Sequence, residues 1–240
     1  MRASTFEFRN RFWLIGAIIW GAFWLYAVDH VNAAEAVGGW LAARVGWPQG
    51  PTVRALLGFG AFLTILAALI RTWACSFLRT EVVHDASLHS EKLVADGPYR
   101  YVRNPLYLGT TLLTLGMGLM ASRLGYAVMV VGTLIFNLRL IGREEAELTE
   151  SQGESYRNYL KEVPCLVPSL FPRVAAGGGR SQWKQALQGE GFFWGFAAAT
   201  VAFAVTLKLR YFWFTLAIAF GLYFWVQAML KKQRRSAHGD

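Results

Sequence analysis

The sequence predicts an all-α, multi-pass integral membrane protein with about six transmembrane helices. Three observations predict the helical membrane fold. Of 240 residues, 55% are hydrophobic and only 16% are charged, with 10 Trp, which is too apolar for a soluble domain. The apolar residues fall in runs about as long as one helical bilayer crossing, which excludes a transmembrane barrel of short alternating strands. The arginines and lysines behind the formal net charge of +9 flank those runs instead of forming one basic domain. Membrane topology therefore accounts for the charge, and nucleic acid does not.

The elements follow in order. Arg2, Arg9 and Arg11 precede a first span at about Phe12 to Val28, which sets the N-terminus in the cytoplasm. No small-residue cleavage site follows this run, so no cleavable signal peptide is expected. Asp29 to Thr52 carries Gly38-Gly39 and Pro48-x-x-Pro51, with Val37, Trp40, Leu41 and Val45 spaced for a short interfacial helix. A second span runs from about Ala55 to Phe77. Arg71 sits near its cytoplasmic end, on one face with Cys75 and Arg79, where it either reaches an acidic ligand group or snorkels to the headgroups.

Glu81 to Arg103 reads as a large cytoplasmic loop, and a third span follows at about Leu106 to Met120. Ser122-Arg123-Leu124-Gly125 makes a tight outer turn, and a fourth span at about Tyr126 to Ile141 returns to the cytoplasm. Beyond Gly142 the helix continues through Leu148 and turns near Gly153, and a second helical piece carries Tyr156, Tyr159 and Leu160 to Val163-Pro164. Gly177-Gly178-Gly179 lacks the preceding strand of a phosphate-binding loop and reads as linker. Spans at about Phe192 to Leu207 and Tyr211 to Leu230 enclose a Lys208-Leu209-Arg210 turn, and Lys231-Lys232-Gln233-Arg234-Arg235 closes the chain on the cytoplasmic side. The expected division is 1–54, an N-terminal span with an interfacial segment; 55–172, a membrane core; 173–191, a linker; and 192–240, a C-terminal hairpin with a basic tail.

Cys75 and Cys165 are the two cysteines, and their placement indicates no disulfide framework. His30, His84, His89 and His238 have neither paired helical spacing nor Cys partners, so no metal site is expected.

The chain is organised around Gly97 to Gly109, where a turn crowded with arginines and tyrosines runs into an apolar helix. Pro105 lacks an N–H and suits the first helical turn, with Asn104 as the natural N-cap. The positive helix end, with Arg100 and Arg103 beside it, can hold a carboxylate or phosphate. An interfacial anchor is the competing reading of the same Tyr and Arg residues.

The stretch Lys92 to Gly109, followed by Glu144-Glu145 and Gly153-Glu154-x-Tyr156-x-x-Tyr159-x-x-x-Val163-Pro164-x-x-x-Pro168, resembles the isoprenylcysteine carboxyl methyltransferase family, related to the phospholipid methyltransferases. The resemblance covers about Arg71 to Pro172, and it makes 55–172 a methyltransferase-like core. It implies an integral membrane enzyme that uses S-adenosylmethionine. By that resemblance the cofactor contacts fall on His84, Glu91, Lys92, Leu93, Val94, Tyr99, Asn104, Pro105, Leu106, Tyr107 and Glu144. His84 stands where the family has a glutamine. Asn104 stands where the family has a histidine, and the family's substrate arginine falls on Leu140, so no substrate residue is carried over. The candidate catalytic residues are Glu144, Asn104 and Arg103.

Glu144 lies four residues from both Leu140 and Leu148 and shares their apolar stripe, whereas Glu145 is turned away by about 100°. Glu145 and Glu147 are therefore expected on a solvated face. Methyl transfer needs positioning and exclusion of water more than catalytic side chains. The expected activity is methyl transfer from S-adenosylmethionine to a lipophilic acceptor entering from the bilayer: a prenylcysteine-like carboxylate, a phospholipid amine or a small thiol. The alternatives are a sterol-type membrane reductase using NADPH and a non-enzymatic helical scaffold.

Overall fold

The computed structural model describes residues 2–78 and 95–236, with side chains to residue 231. The described residues are helical and contain no strand. In chain order the helices are α1 (Thr5–Arg9), α2 (Arg11–Trp24), α3 (Ala33–Val45), α4 (Gln49–Phe77), α5 (Pro105–Gly118), α6 (Arg123–Gln152), α7 (Glu154–Glu162), α8 (Trp183–Gly189), α9 (Gly191–Thr206) and α10 (Leu209–Ser236).

Length and composition separate these helices. α4, α6 and residues Leu209–Lys231 of α10 are long and apolar enough to cross a membrane, and the bent pair α8 and α9 adds a fourth crossing if it is one span. At about 1.5 Å per residue the 14 residues of α5 rise only about 21 Å, short of the roughly 30 Å hydrocarbon core. The short rise is set by Pro105 at one end and the Leu119-Met120-Ala121 turn at the other.

Small residues let α4 and α5 touch along their backbones. A Cβ on Gly60 or on Gly116 would collide with the other glycine's carbonyl oxygen, so only glycine fits at this crossing. Around it Leu57 and Ala67 of α4, Leu113 and Met117 of α5, Met129 of α6 and Phe196 of α9 form one buried cluster. α2 joins through Ile19 and Ala22, and Trp20 stacks on Trp213 of α10 at 5.6 Å between ring centroids.

The end of the bundle away from Gly97 to Gly109 is stapled by polar contacts. Tyr26 donates its hydroxyl to the Met120 carbonyl at 2.8 Å, and Asn32 Nδ2 donates to the same carbonyl at 3.1 Å. Asp29 accepts from the Arg123 guanidinium at 3.0 Å and from the Leu124 N–H at 2.9 Å. The Ser122-Arg123-Leu124-Gly125 turn is tighter than its four-residue motif suggests. Ser122 caps α6 through a 3.0 Å bond from the Gly125 N–H, so the helix already starts at Arg123.

α6 runs without a break through Gly142 to Gln152, carrying the Glu144-Glu145 pair on a rigid rod. Gly153, at φ +60°, reverses the chain into α7. The segment after α7 is tied down. Arg173 donates its N–H to the Arg100 carbonyl at 2.8 Å, Gln182 donates to the Ser76 carbonyl at 2.7 Å, and the N–H groups of Gly177 and Gly179 each donate to the Asp96 carboxylate at 2.8 Å. The glycine run thus holds a side-chain carboxylate of its own chain.

Candidate functional site

The turn that opens the site is built by residues 97–104. Gly97 has φ +55°, and a Cβ there would strike the Phe77 ring, so only a glycine lets this turn pack against the end of α4. Pro98 and the 3-10 turn over Gly97–Arg100 then aim Tyr99 inward. Pro105 occupies the first helical position of α5, as the missing N–H favours.

This turn meets the segment from Glu144 to Ser169. Arg103 is the centre of the contact: Nε donates to Glu145 Oε1 at 2.9 Å, while Nη1 donates to the carbonyls of Leu160 and Val163, each at 2.7 Å. Its backbone N–H donates to the Pro164 carbonyl at 2.9 Å. Arg103 therefore closes the last turn of α7, whose carbonyls have no helical partner. Tyr159 donates its hydroxyl to the Tyr99 carbonyl at 2.8 Å, and Tyr156 packs beside it, both rings buried. Burial pushes the phenols of Tyr99, Tyr156 and Tyr159 up from their ordinary value, so they stay neutral hydroxyls at physiological pH. Burial also raises the thiol of Cys165, which therefore stays protonated.

The two glutamates have separate partners. Tyr107 donates its hydroxyl to Glu144 Oε1 at 2.8 Å, and among the described residues nothing donates to Glu144 Oε2. Asn137 Nδ2 bonds the Tyr107 carbonyl at 3.3 Å, so α6 grips Tyr107 at both its backbone and its hydroxyl. Glu145, expected on a solvated face, is instead held by Arg103 and by Asn104 Nδ2 at 3.3 Å, and its side chain is 20% exposed. Its angular position on α6 is as the helical spacing requires. What covers it is the Arg103 turn, which comes from outside the helix.

Asn104 stands at the N-cap position, but its side chain makes no cap bond. With ψ at 60° the residue is outside the extended region in which a cap side chain folds back, and Nδ2 reaches across to Glu145 and to the Cys165 carbonyl at 3.2 Å. Pro105 is buried, and the Leu106 carbonyl accepts from Arg71 Nη1 at 3.0 Å. His84, Glu91, Lys92, Leu93 and Val94 lie outside the described residues.

Two features escaped the sequence reading. Arg71 is paired internally, with Nε donating to Glu190 Oε2 at 2.6 Å and Nη2 to Glu190 Oε1 at 3.0 Å. The signal was present: Arg71 is the one charge between Ala55 and Leu78, and Glu190 the one acid between Glu162 and Asp240. Beside Glu145, a groove of about 750 Å³ is bounded by Arg2, Ala3, Arg143, Glu147, Arg157 and Leu160. Neither Glu144 nor Tyr107 lines it, and its charges are mixed in sign.

Fold and site together define a helical integral membrane protein with a polar cluster of arginine, tyrosine and glutamate where two distant sequence segments meet. Residues 55–155 match the phospholipid methyltransferase family, and the chain resembles the isoprenylcysteine carboxyl methyltransferase and phospholipid methyltransferase group over that part. It is 39% identical over 85 residues to the protein-S-isoprenylcysteine O-methyltransferase of Schizosaccharomyces pombe, covering 32% of this chain and 34% of that one. It is 39% identical over 72 residues to the methanethiol S-methyltransferase of Crocosphaera subtropica, covering 30% and 28%. Over 130 residues it is 30% identical to the cobalt-zinc-cadmium resistance protein CzcN of Cupriavidus metallidurans, covering 53% and 54%. The aligned part thus spans about a third of the first two relatives and about half of the third. No solved structure matches the chain.

Proposed function

We propose that this chain is a membrane-embedded methyltransferase that moves a methyl group from S-adenosylmethionine to a lipophilic acceptor. The observation that carries the reading is the meeting of the two motif halves, Arg103, Asn104 and Tyr107 against Glu144, Glu145, Tyr156 and Tyr159, within the region that matches the phospholipid methyltransferase family. In this reading the spans number six, the short helices α2 and α5 crossing by local thinning of the bilayer, both termini and the cofactor site face the cytoplasm, and the unit at 55–172 is the catalytic core.

S-adenosylmethionine, when bound, supplies an electrophilic methyl. The residues present fit such a guest. Glu144 Oε2 would accept from its amino group or a ribose hydroxyl, while Tyr107 keeps Oε1 engaged and the carboxylate oriented. Tyr99, Pro105, Leu106 and Tyr107 would supply the wall against the adenosine, and the resemblance adds His84, Glu91, Lys92, Leu93 and Val94 to the contacts. Arg103 and Asn104 hold that wall against α7, so they act by placement. Asn104 has no basic nitrogen, which favours an acceptor that reaches the site already deprotonated, a carboxylate or thiolate.

Titration of the purified chain in detergent with S-adenosylhomocysteine and with NADPH tests the reading. Saturable binding of the first and none of the second is expected. Binding of NADPH alone moves the protein to the reductase class, and binding of neither leaves a helical scaffold. Transfer of labelled methyl to a prenylcysteine, phosphatidylethanolamine or methanethiol then separates oxygen, nitrogen and sulfur acceptors.

A further inference from the structure

We propose that Glu190, outside the region matching the phospholipid methyltransferase family, is a positioning residue for the cofactor site. It acts through Arg71 on the first turn of α5. The proposal rests on the methyltransferase reading.

Glu190 sits at the 64° bend between α8 and α9. Its side chain is 7% exposed, and both its oxygens are bonded by Arg71. Arg71 Nη1 continues to the Leu106 carbonyl at 3.0 Å and to Thr110 Oγ1 at 3.3 Å. One guanidinium therefore joins three pieces of chain: α4, the start of α5 and the α8–α9 bend. The Phe193 ring covers it at 3.9 Å, and Cys75 Sγ donates to Glu190 Oε1 at 2.9 Å, which leaves the Arg71 side chain 17% exposed.

A charged pair inside a membrane bundle is costly to assemble, and an apolar pair of the same size would hold the helices together at least as well. What an apolar pair cannot do is donate to the Leu106 carbonyl. That bond fixes the turn carrying Pro105, Leu106 and Tyr107, and Tyr107 in turn holds Glu144. Gly109 completes the fit, because a Cβ there would strike the Arg71 side chain. Trp194, one turn into α9, donates to Thr72 Oγ1 at 3.0 Å in the same helix interface, a bond that does not involve α5. It provides the control.

The test uses the full chain in detergent, with amide exchange at Tyr107 to Thr110 and affinity for S-adenosylhomocysteine as readouts. Glu190→Gln is expected to raise exchange in that turn and to weaken the ligand by about tenfold or more, the weight of one charged hydrogen bond. Trp194→Phe is expected to lower the unfolding temperature and change neither readout. The paired apolar replacement Arg71→Met with Glu190→Met is expected to recover the unfolding temperature and not the affinity. Equal affinity in Glu190→Gln and the parent overturns the proposal, as does recovery of affinity in the apolar pair. A parent that binds no S-adenosylhomocysteine overturns the functional reading instead, and the exchange data then still decide whether Glu190 holds the turn.

Discussion

Replacing Glu145 with Ala should unlock the contact between the two halves of the site. Glu145 Oε1 takes bonds from Arg103 Nε at 2.9 Å and Asn104 Nδ2 at 3.3 Å, with the arginine and glutamate side chains 14% and 20% exposed. A hydrogen bond to a charged group contributes about 1.5–3 kcal/mol. Residual solvent at both side chains, and the Leu160 and Val163 carbonyls that Arg103 keeps, place this pair near the low end, about 1.5–2 kcal/mol. At 1.4 kcal/mol per decade this raises the local opening equilibrium roughly 10- to 30-fold. Cys165 reports the opening, since its Sγ lies 3.6 Å from Asn104 Nδ2 beneath the contact. In a Cys75→Ser background, maleimide should label Cys165 faster by that factor. Glu147→Ala is the reference: its partner Arg143 is one helical turn away, its side chain is 53% exposed, and such pairs contribute about 0.3–0.5 kcal/mol, roughly a twofold change. Equal labelling rates in the two variants would refute the claim that Glu145 locks the site.

Three further outcomes follow from the same contacts. Asn104→Leu, which loses the bonds to Glu145 and the Cys165 carbonyl, should weaken S-adenosylhomocysteine binding, and Asn104→His, which keeps a donor, should retain it; isothermal titration distinguishes them, and equal affinities would remove Asn104 from the site. The Arg123 guanidinium holds the Asp29 carboxyl down from 3.8 to about 2, so its folded value lies below the unfolded one. Its stabilisation is therefore complete above about pH 4 and disappears as pH falls toward 2. Amide exchange at the Ser122 to Gly125 turn should rise across that window in the parent and not in Arg123→Gln, and a flat parent profile would count against the pair. Asp96→Asn turns an amide group toward one of two glycine N–H donors and should speed exchange at Gly177 and Gly179 about tenfold, as read by mass spectrometry; unchanged protection would mean that the loop is held elsewhere.

Local chemistry made much of this legible. Pro105 starts a helix because it lacks an N–H, Gly153 ends one because it accepts φ +60°, and the apolar period carried α6 past Gly142. The same local rules misjudged Glu145 and Asn104, whose partners lie 42 and 61 residues away along the chain. Helical spacing gives the direction a side chain leaves its helix. It does not say what arrives there. The Arg71–Glu190 pair, 119 residues apart, is the extreme case, visible in sequence only as two isolated charges of opposite sign.

The glycine contact between α4 and α5 also makes the pair a lever. Gly60 and Gly116 touch backbone to backbone, and Arg71 lies 11 residues along α4 from that point, an arm of about 16 Å at 1.5 Å per residue. Rotation about this fulcrum by about 10° carries the Arg71 end through roughly 3 Å, the length of the bond it makes to Leu106. A single methyl group wedged at the fulcrum would thus be read out at the far end of the arm.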